Sequence, residues 1–309
     1  MFTVVGEALV DLVQSRENAA EFSAHAGGSP YNVAITLARL GQSVSLVARS
    51  GQDAFGRMLE DKARASGVGF DRWQIVAEPT SLAVASLDPD GGATYDFYLD
   101  STAGLAWDDS LVDLVPTGGV LHLGSLASWR APSGPVLQAM QRRAFDSGTT
   151  LVSYDPNVRP ALIAHRDAAR ASIERCVAAA HVVKASDEDL AYLYPDVALG
   201  EVAARWGVPL AVVTLGRDGA VAIGPDGELA RCAGRDIVVA DTVGAGDSFA
   251  GGLLAALADA GVTSPHALER AGRDVIGAAL ERAVAVSALT CERRGAEPPT
   301  TAELAARWR

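Results

Sequence analysis

The sequence predicts an α/β fold: a mostly parallel sheet covered by helices on both faces, with a small second sheet standing off it. Three observations carry this. Short β-branched runs alternate with helical patterns, as they do where parallel strands are joined by crossover helices. One helix between such runs is punctuated at both ends. Two segments break the alternation and carry strand patterns of their own.

The runs Val44 to Val47, Val120 to Leu123, Leu151 to Ser153, Val182 to Val183 and Leu210 to Thr214 have the continuous apolar character of strands buried on both faces. In such a sheet ligands bind beyond the carboxyl ends of the strands, so functional motifs should fall just after these runs. The punctuated helix has Ser29 as N-cap, Pro30 at its first helical position, Val33, Leu37 and Leu40 on one face, and Gly41 as its stop. The segments that break the rhythm are Leu9 to Ala24 and Ser81 to Leu99, the latter patterned as a hairpin turning at Asp88-Pro89-Asp90-Gly91-Gly92. They predict a small sheet built from about 9–24 and 72–100 and inserted in one domain, since no repeat, low-complexity tract or linker divides the 309 residues further.

A hydrophobic content of 49% suffices for a large core. The net charge of -12 comes from dispersed Asp and Glu without any Lys/Arg cluster, which argues against a nucleic-acid partner. An acidic chain repels a nucleotide at long range, so an ATP site here has to rest on local backbone dipoles, a few cations and a metal. Cys176, Cys232 and Cys291 are widely spaced and show no paired motif, and are expected to be buried free thiols. The N-terminus has no basic region leading into a long apolar stretch, and no apolar run approaches roughly 18 residues. The expectation is a cytoplasmic protein without a membrane partner.

Glycine-rich turns are therefore informative. In Asp241-Thr242-Val243-Gly244-Ala245-Gly246-Asp247-Ser248-Phe249, small residues open an apolar helix running through Ala250, Leu253, Leu254 and Leu257. Unpaired N–H groups at a helix start, with no side chains in the way, form an anion cradle. The two common nucleotide motifs are absent: there is no Gly-x4-Gly-Lys-Ser/Thr, and Phe249 stands where a dinucleotide fingerprint needs its third glycine. What sets this turn apart is Asp247, a carboxylate placed against the anion site, where it can take a proton from a hydroxyl attacking a γ-phosphate. An ordinary capped helix, with Asp247 merely complementing the dipole, is the competing explanation.

The segment Asp241 to Phe249 resembles the C-terminal signature of the ribokinase-like (PfkB-type) sugar kinases, and Gly27-Gly28-Ser29-Pro30-Tyr31-Asn32 resembles their N-terminal one. The resemblance implies a ribokinase-like three-layer α/β/α fold with a β-sheet lid over the sugar. It places Asp11, Gly27, Gly28 and Asn32 around the sugar hydroxyls, makes Asp247 the catalytic base, and makes Gly244, Ala245 and Gly246 the anion hole. Thr214, Leu215, Gly216 and Gly219 resemble the nucleotide-binding strand end. Where the family carries Asn-x-x-Glu near its metal, this chain has Ser186 to Asp189 after Lys184. Both terminal positions depart from the pattern, so Asp189 or Glu188 is the expected Mg²⁺ contact, with helix capping by Ser186 as the plainer role. Asp241, Val243, Thr290, Arg293 and Gly295 align with positions that hold a K⁺ ion in many members, although Pro299 stands where a Ser ligand can occur.

Asp155-Pro156-Asn157-Val158-Arg159 resembles the fructokinase and keto-deoxygluconate kinase branches, as does the Lys184 stretch. Arg159 and Asn157 are accordingly assigned to the sugar or the moving phosphoryl group. The implied activity is ATP-dependent phosphorylation of fructose; ribose, keto-deoxygluconate or a nucleoside is the alternative acceptor, and a non-catalytic sensor of the same fold is the alternative of another class. Tyr95 to Leu99 alternate so that one lid face covers the sugar while the other packs on a neighbour, which predicts a homodimer through the lid.

Overall fold

The computed structural model describes residues 1–87, 93–114 and 117–308. In chain order its strands are β1 (Phe2–Val5), β2 (Leu9–Gln14), β3 (Phe22–Gly27), β4 (Val44–Gly51), β5 (Trp73–Val76), β6 (Ser81–Leu87), β7 (Ala93–Tyr98), β8 (Gly119–Gly124), β9 (Thr150–Asp155), β10 (Val182–Ser186), β11 (Leu210–Thr214), β12 (Ala220–Gly224) and β13 (Gly227–Cys232). Nine of them form the main sheet, in the order β13-β12-β11-β10-β9-β8-β1-β4-β5. From β11 to β5 every neighbouring pair is parallel, and an antiparallel hairpin, β12-β13, completes one edge.

Alternation along the strands makes two cores. On β11, Leu210 and Val212 join one buried layer with the helices Ser29–Arg39, Ala245–Asp259 and Arg273–Cys291, while Ala211 and Val213 join the other with the helices Ser133–Asp146 and Arg166–Val177. Each fully buried aliphatic side chain in these layers contributes ~1.5–3 kcal/mol of transfer free energy. The result is the three-layer α/β/α arrangement, with every strand run named from the sequence inside a parallel strand of the main sheet.

The second sheet runs β3-β2-β6-β7. Its two hairpins, β2-β3 and β6-β7, are joined through a parallel β2-β6 pair, so it is mixed rather than wholly antiparallel. Trp73–Val76, within the stretch 72–100, pairs with β4 at the edge of the main sheet instead. The other stretch runs on past residue 24, because β3 continues to Gly27. The turn expected at Asp88 to Gly92 lies outside the described residues.

Gly28, not Ser29, caps the Ser29–Arg39 helix: its φ of 102 is open to glycine, no side chain caps the helix, and Ser29 is buried in the first turn. The cysteines are all free, but only Cys176 is buried; Cys232 and Cys291 are partly exposed because they lie at an edge strand and a helix end. Among the described residues no helix is long and apolar enough to cross a membrane.

Candidate active site

The carboxyl ends of β1, β8, β9, β10 and β11 converge on the start of the Ala245–Asp259 helix, and two half-sites meet there. On one side, Asp247 lies buried in the first helical turn, and its Oδ2 accepts a hydrogen bond of 2.8 Å from Nδ2 of Asn32. Asn32 reaches it because Gly27 and Gly28 bring the helix start down onto the sheet edge. A Cβ on Gly27 would stand 2.3 Å from Oδ2 of Asp11, and one on Gly28 would stand 2.6 Å from the carbonyl of Glu7. The small sheet thus delivers Asp11, in β2, to the same place, so Asp11, Gly27, Gly28, Asn32 and Asp247 lie together.

Charge is concentrated here. Burial, then the Asp247 charge, pushes the Asp11 carboxyl up to about 6, with Arg159 opposing. Burial also carries Glu7 up to about 7, and Asp247 again adds to the shift. Arg159 therefore acts on the acceptor half-site while also lining the neighbouring cleft.

That cleft, of about 1000 Å³, forms the other half-site. Ala245 and Gly246 close its inner end, and Lys184, Ser186, Glu188, Asp189, Thr214, Gly216 and Gly219 line one wall. Gly244 caps the helix at φ 74 with no side-chain bond, leaving the first-turn amides of Gly246 and Asp247 open, whereas the Ala245 N–H is directed at Thr242 O at 3.2 Å. A Cβ on Gly244 would come within 2.5 Å of the Ala296 Cβ, and one on Gly246 within 2.9 Å of Lys184 Nζ. The lysine ammonium therefore sits at the mouth of the turn. It pairs with Asp155 Oδ2 at 3.0 Å, both groups buried. Burial alone would lower the lysine, but the carboxylates of Asp155, Asp189 and Asp247 outweigh it and hold the ammonium charged. Asp155, raised to about 6 by burial against the pull of Lys184, remains ionised at neutral pH.

Some expected residues are elsewhere employed. Leu215 packs against the second core layer and donates its N–H to Gly219 O, so it shapes the turn without lining the cleft. Asp189 forms a capping box with Ser186 and also accepts from Val158 N–H at 2.9 Å; both of its oxygens hold backbone amides. Among the described residues no three acidic, His or Cys side chains converge as a metal cage. Asp241 accepts from Val243 N–H and Gly295 N–H, drawing three of the five expected K⁺ residues together. Thr290 O accepts from Arg293 N–H, and the Arg293 guanidinium turns to Glu303.

Several residues escaped the sequence. Glu7 follows β1 and is buried beneath the acceptor half-site; the only signal for it is an acid directly after Gly6 at a strand end. The far wall of the cleft comes from Val284, Ser287 and Ala288 on the Arg273–Cys291 helix, with Arg217 and Ile237 opposite. Ser287 Oγ also donates to Ala245 O, tying that helix to the anion turn.

A fructokinase of Rhizobium leguminosarum bv. trifolii is 34% identical over 263 residues, which are 83% of this chain and 79% of that protein. The structure of a fructokinase double mutant from Vibrio cholerae O395, in its fructose, ADP and potassium ion bound form, matches with a TM-score of 0.86 at 29% identity, over 100% of this chain and 98% of that one. A fructokinase from Xylella fastidiosa with bound ATP matches with a TM-score of 0.87 at 29% identity, over 99% and 97%. The model of the pfkB family carbohydrate kinases matches residues 1–303, a span that takes in both half-sites, and the chain belongs to that family.

Proposed function

We propose that this chain transfers the γ-phosphoryl group of ATP to a hydroxyl of fructose. The observation that carries the reading is the Asn32–Asp247 contact, which fixes a buried carboxylate between a polar pocket and a helix N-terminus. With Asn32 occupying one oxygen, the other is available to take the proton of the attacking hydroxyl as the new phosphate ester bond forms and the bond to the leaving ADP oxygen breaks. Asp11, Asn157 and Arg159 offer an acceptor, an amide and a cation for the remaining hydroxyls, a set suited to a polyol. The amides of Gly246 and Asp247, with Lys184 beside them, face the charge that builds on the transferred group. Val284, Ala288 and Ile237 give the apolar walls an adenine ring needs.

Mg²⁺ bound to the polyphosphate supplies charge neutralisation. With no protein cage among the described residues and Asp189 engaged by backbone amides, phosphate and water would supply most of its ligands and Glu188 on the cleft wall would be the protein's contribution. A K⁺ ion fits the backbone-rich loop around Asp241, Val243 and Gly295, where the carboxylate already organises the chain. Equal rates in K⁺ and tetramethylammonium buffers would remove that element.

The small sheet is read as a lid. Tyr95 on β7 feels the charges of Asp11 and Arg159 and stacks with Phe97, so that face looks onto the acceptor half-site, while Tyr98 points to the other face and is 61% exposed. Edge strands carrying Phe22 and Tyr98 favour pairing of two lids in a homodimer, which a monomeric mass by light scattering at micromolar concentration would refute. The enzyme is placed in the cytoplasm, where its nucleotide is at hand. The decisive experiment is coupled ADP release with fructose, ribose, keto-deoxygluconate and adenosine: fructose should give the highest kcat/KM, and a better rate with any of the others would displace it.

A further inference from the structure

Gly244 begins the helix that carries Asp247, and it has no side chain with which to hold its own conformation. Its φ is 74, and no side-chain bond caps the helix there. What crowds it comes from elsewhere in the chain. A Cβ built on Gly244 would lie 2.5 Å from the Cβ and 3.0 Å from the Cα of Ala296, with the Asn32 amide next at 3.8 Å. Ala296 is buried, in the loop between the Arg273–Cys291 and Thr301–Arg307 helices, so this loop is the wall against which the glycine cap rests.

The loop is pinned on both sides of Ala296. On one side the Gly295 N–H donates to Asp241 Oδ2 at 2.8 Å. On the other, Glu297 is held by cations from two different helices: Lys62 Nζ, on the Ala54–Ala65 helix, donates to its Oε1 at 2.6 Å, and Arg39 Nη1, at the end of the Ser29–Arg39 helix, donates to its Oε2 at 2.9 Å. Lys62 Nζ also reaches the carbonyl of Ala296 itself at 3.4 Å. Burial alone would raise the Glu297 carboxyl, but the two cations outweigh it and hold it below the usual carboxylate range, so the clamp is charged at neutral pH. Both posts are fixed. A Cβ on Gly251 would stand 2.6 Å from Thr36, so the Arg39 helix is seated directly on the Ala245–Asp259 helix, and Tyr31 Oη donates to Leu59 O at 2.8 Å, tying the Lys62 helix to it. Arg39 lies seven residues, about two turns, beyond Asn32, so one face of that helix holds Asp247 at one end and Glu297 at the other.

We propose that Glu297 is a positioning residue for phosphoryl transfer: clamped by Lys62 and Arg39, it seats Ala296 against Gly244 and so fixes the helix start whose amides face the transferred group. Oriented donors stabilise developing charge to the extent that they are held in place before the reaction. The inference rests on the sugar-kinase reading, within which it gives the donor half-site a support from outside the cleft, since none of Glu297, Lys62 and Arg39 lines it.

Partly exposed ion pairs contribute little to global stability, so a structural role and a positioning role give different readouts. A structural pair shifts the unfolding temperature and leaves turnover alone well below it. The test is steady-state kinetics at saturating ATP and fructose, calorimetric binding of ADP and of fructose, and thermal unfolding in parallel. Glu297→Ala should lower kcat about tenfold and weaken ADP binding about fivefold through misplaced amides, with the fructose Kd unchanged and the unfolding temperature lowered by less than about 4 °C. Lys62→Met combined with Arg39→Met leaves Glu297 in place without its posts and should match Glu297→Ala in kcat to within about threefold, and joining all three substitutions should cost nothing further, since they act through one contact. A kcat within about twofold of native in either variant, losses that multiply when the three are joined, or a fructose Kd that weakens as much as that of ADP each overturn the proposal. A native chain that phosphorylates no sugar overturns the reading beneath it instead, and in that case an ADP Kd unchanged by Glu297→Ala overturns the positioning role as well.

Discussion

The two halves of the site are built from different materials. The acceptor half is made of side chains, Glu7, Asp11, Asn32, Asn157 and Asp247, brought from strands, strand ends and helix starts, and all but Asp11 are held by hydrogen bonds. The donor half leans more on backbone: a glycine-capped helix start and turns at Gly216 and Gly219 beside Lys184, within walls that also carry Arg217, Glu188 and apolar side chains. A sugar has to be told apart from other polyols by where its donors and acceptors lie, which only oriented side chains can do. A phosphate tail is the same in every nucleotide and needs only N–H groups, space and a cation. Each perturbation below should strike one half and spare the other.

The largest effect is expected where the halves share a beam. Asp155→Ala leaves Lys184 buried without its partner, and loss of one member of such a pair costs about 3–5 kcal/mol. Urea denaturation should show it, and a change below about 1 kcal/mol would mean that the pair contributes little to holding the halves together. Next, Asp247→Ala should lower kcat by roughly 10²-fold or more through loss of the base. Near-normal turnover with the best sugar would exclude Asp247 from proton transfer.

Gly246→Ala sharpens the contrast on the donor side. The added methyl would lie 2.9 Å from Lys184 Nζ, so the KM for ATP should rise about tenfold while the fructose KM stays put. Because Ala favours a helix over Gly by ~1 kcal/mol, stability should hold or increase, and a fall in both would point to a folding defect instead.

The most gradual effect is a pH dependence of stability on the acceptor side. Asp11 has a folded pKa of about 6 against an ordinary 3.8, through burial and then the Asp247 charge. Its ionisation therefore opposes folding: the contribution of the neutral form is complete below 3.8 and is lost as pH rises through about 6. Asp11→Asn should gain stability relative to the native chain across that interval and run parallel to it above. Parallel curves throughout, in urea melts at several pH values, would show that Asp11 carries no such shift.

How far the sequence could be read follows from the same contrast. The donor half was legible because steric need leaves a mark: where Gly244 stands a Cβ has no room, where Gly246 stands it would press on the Lys184 ammonium, and glycine spacing survives in one dimension. Its apolar wall was not, since Val284 and Ala288 look like any core face of a helix until the cleft is seen beside them. Asp11 and Asn32 were found through their motif, whereas Glu7 was hidden, because its burial depends on Gly28 and Ser125, 21 and 118 residues further along. In the fold, five of the strands buried on both faces announced themselves, while the edge strands β5 and β13 and the short buried strands β1 and β12 did not. Trp73–Val76 was grouped with the wrong sheet because a short mixed strand carries no sign of which partner it will take. The helix start was displaced by one residue because a glycine with positive φ does the work usually given to a serine side chain.

That glycine has a mechanical meaning. β3 ends at Gly27 and the helix carrying Asn32 begins at Ser29, so a single residue separates the small sheet from the helix that holds Asp247. The helix is anchored by Tyr31, Val33, Ala34, Ile35 and Leu37, all fully or almost fully buried. Sheet and helix therefore form the two arms of a lever, and Gly28, lodged against the Glu7 carbonyl, is its fulcrum. With no slack chain between them, any swing of the sheet would be delivered as torque at Asn32, one helical turn from the pivot and in direct contact with Asp247.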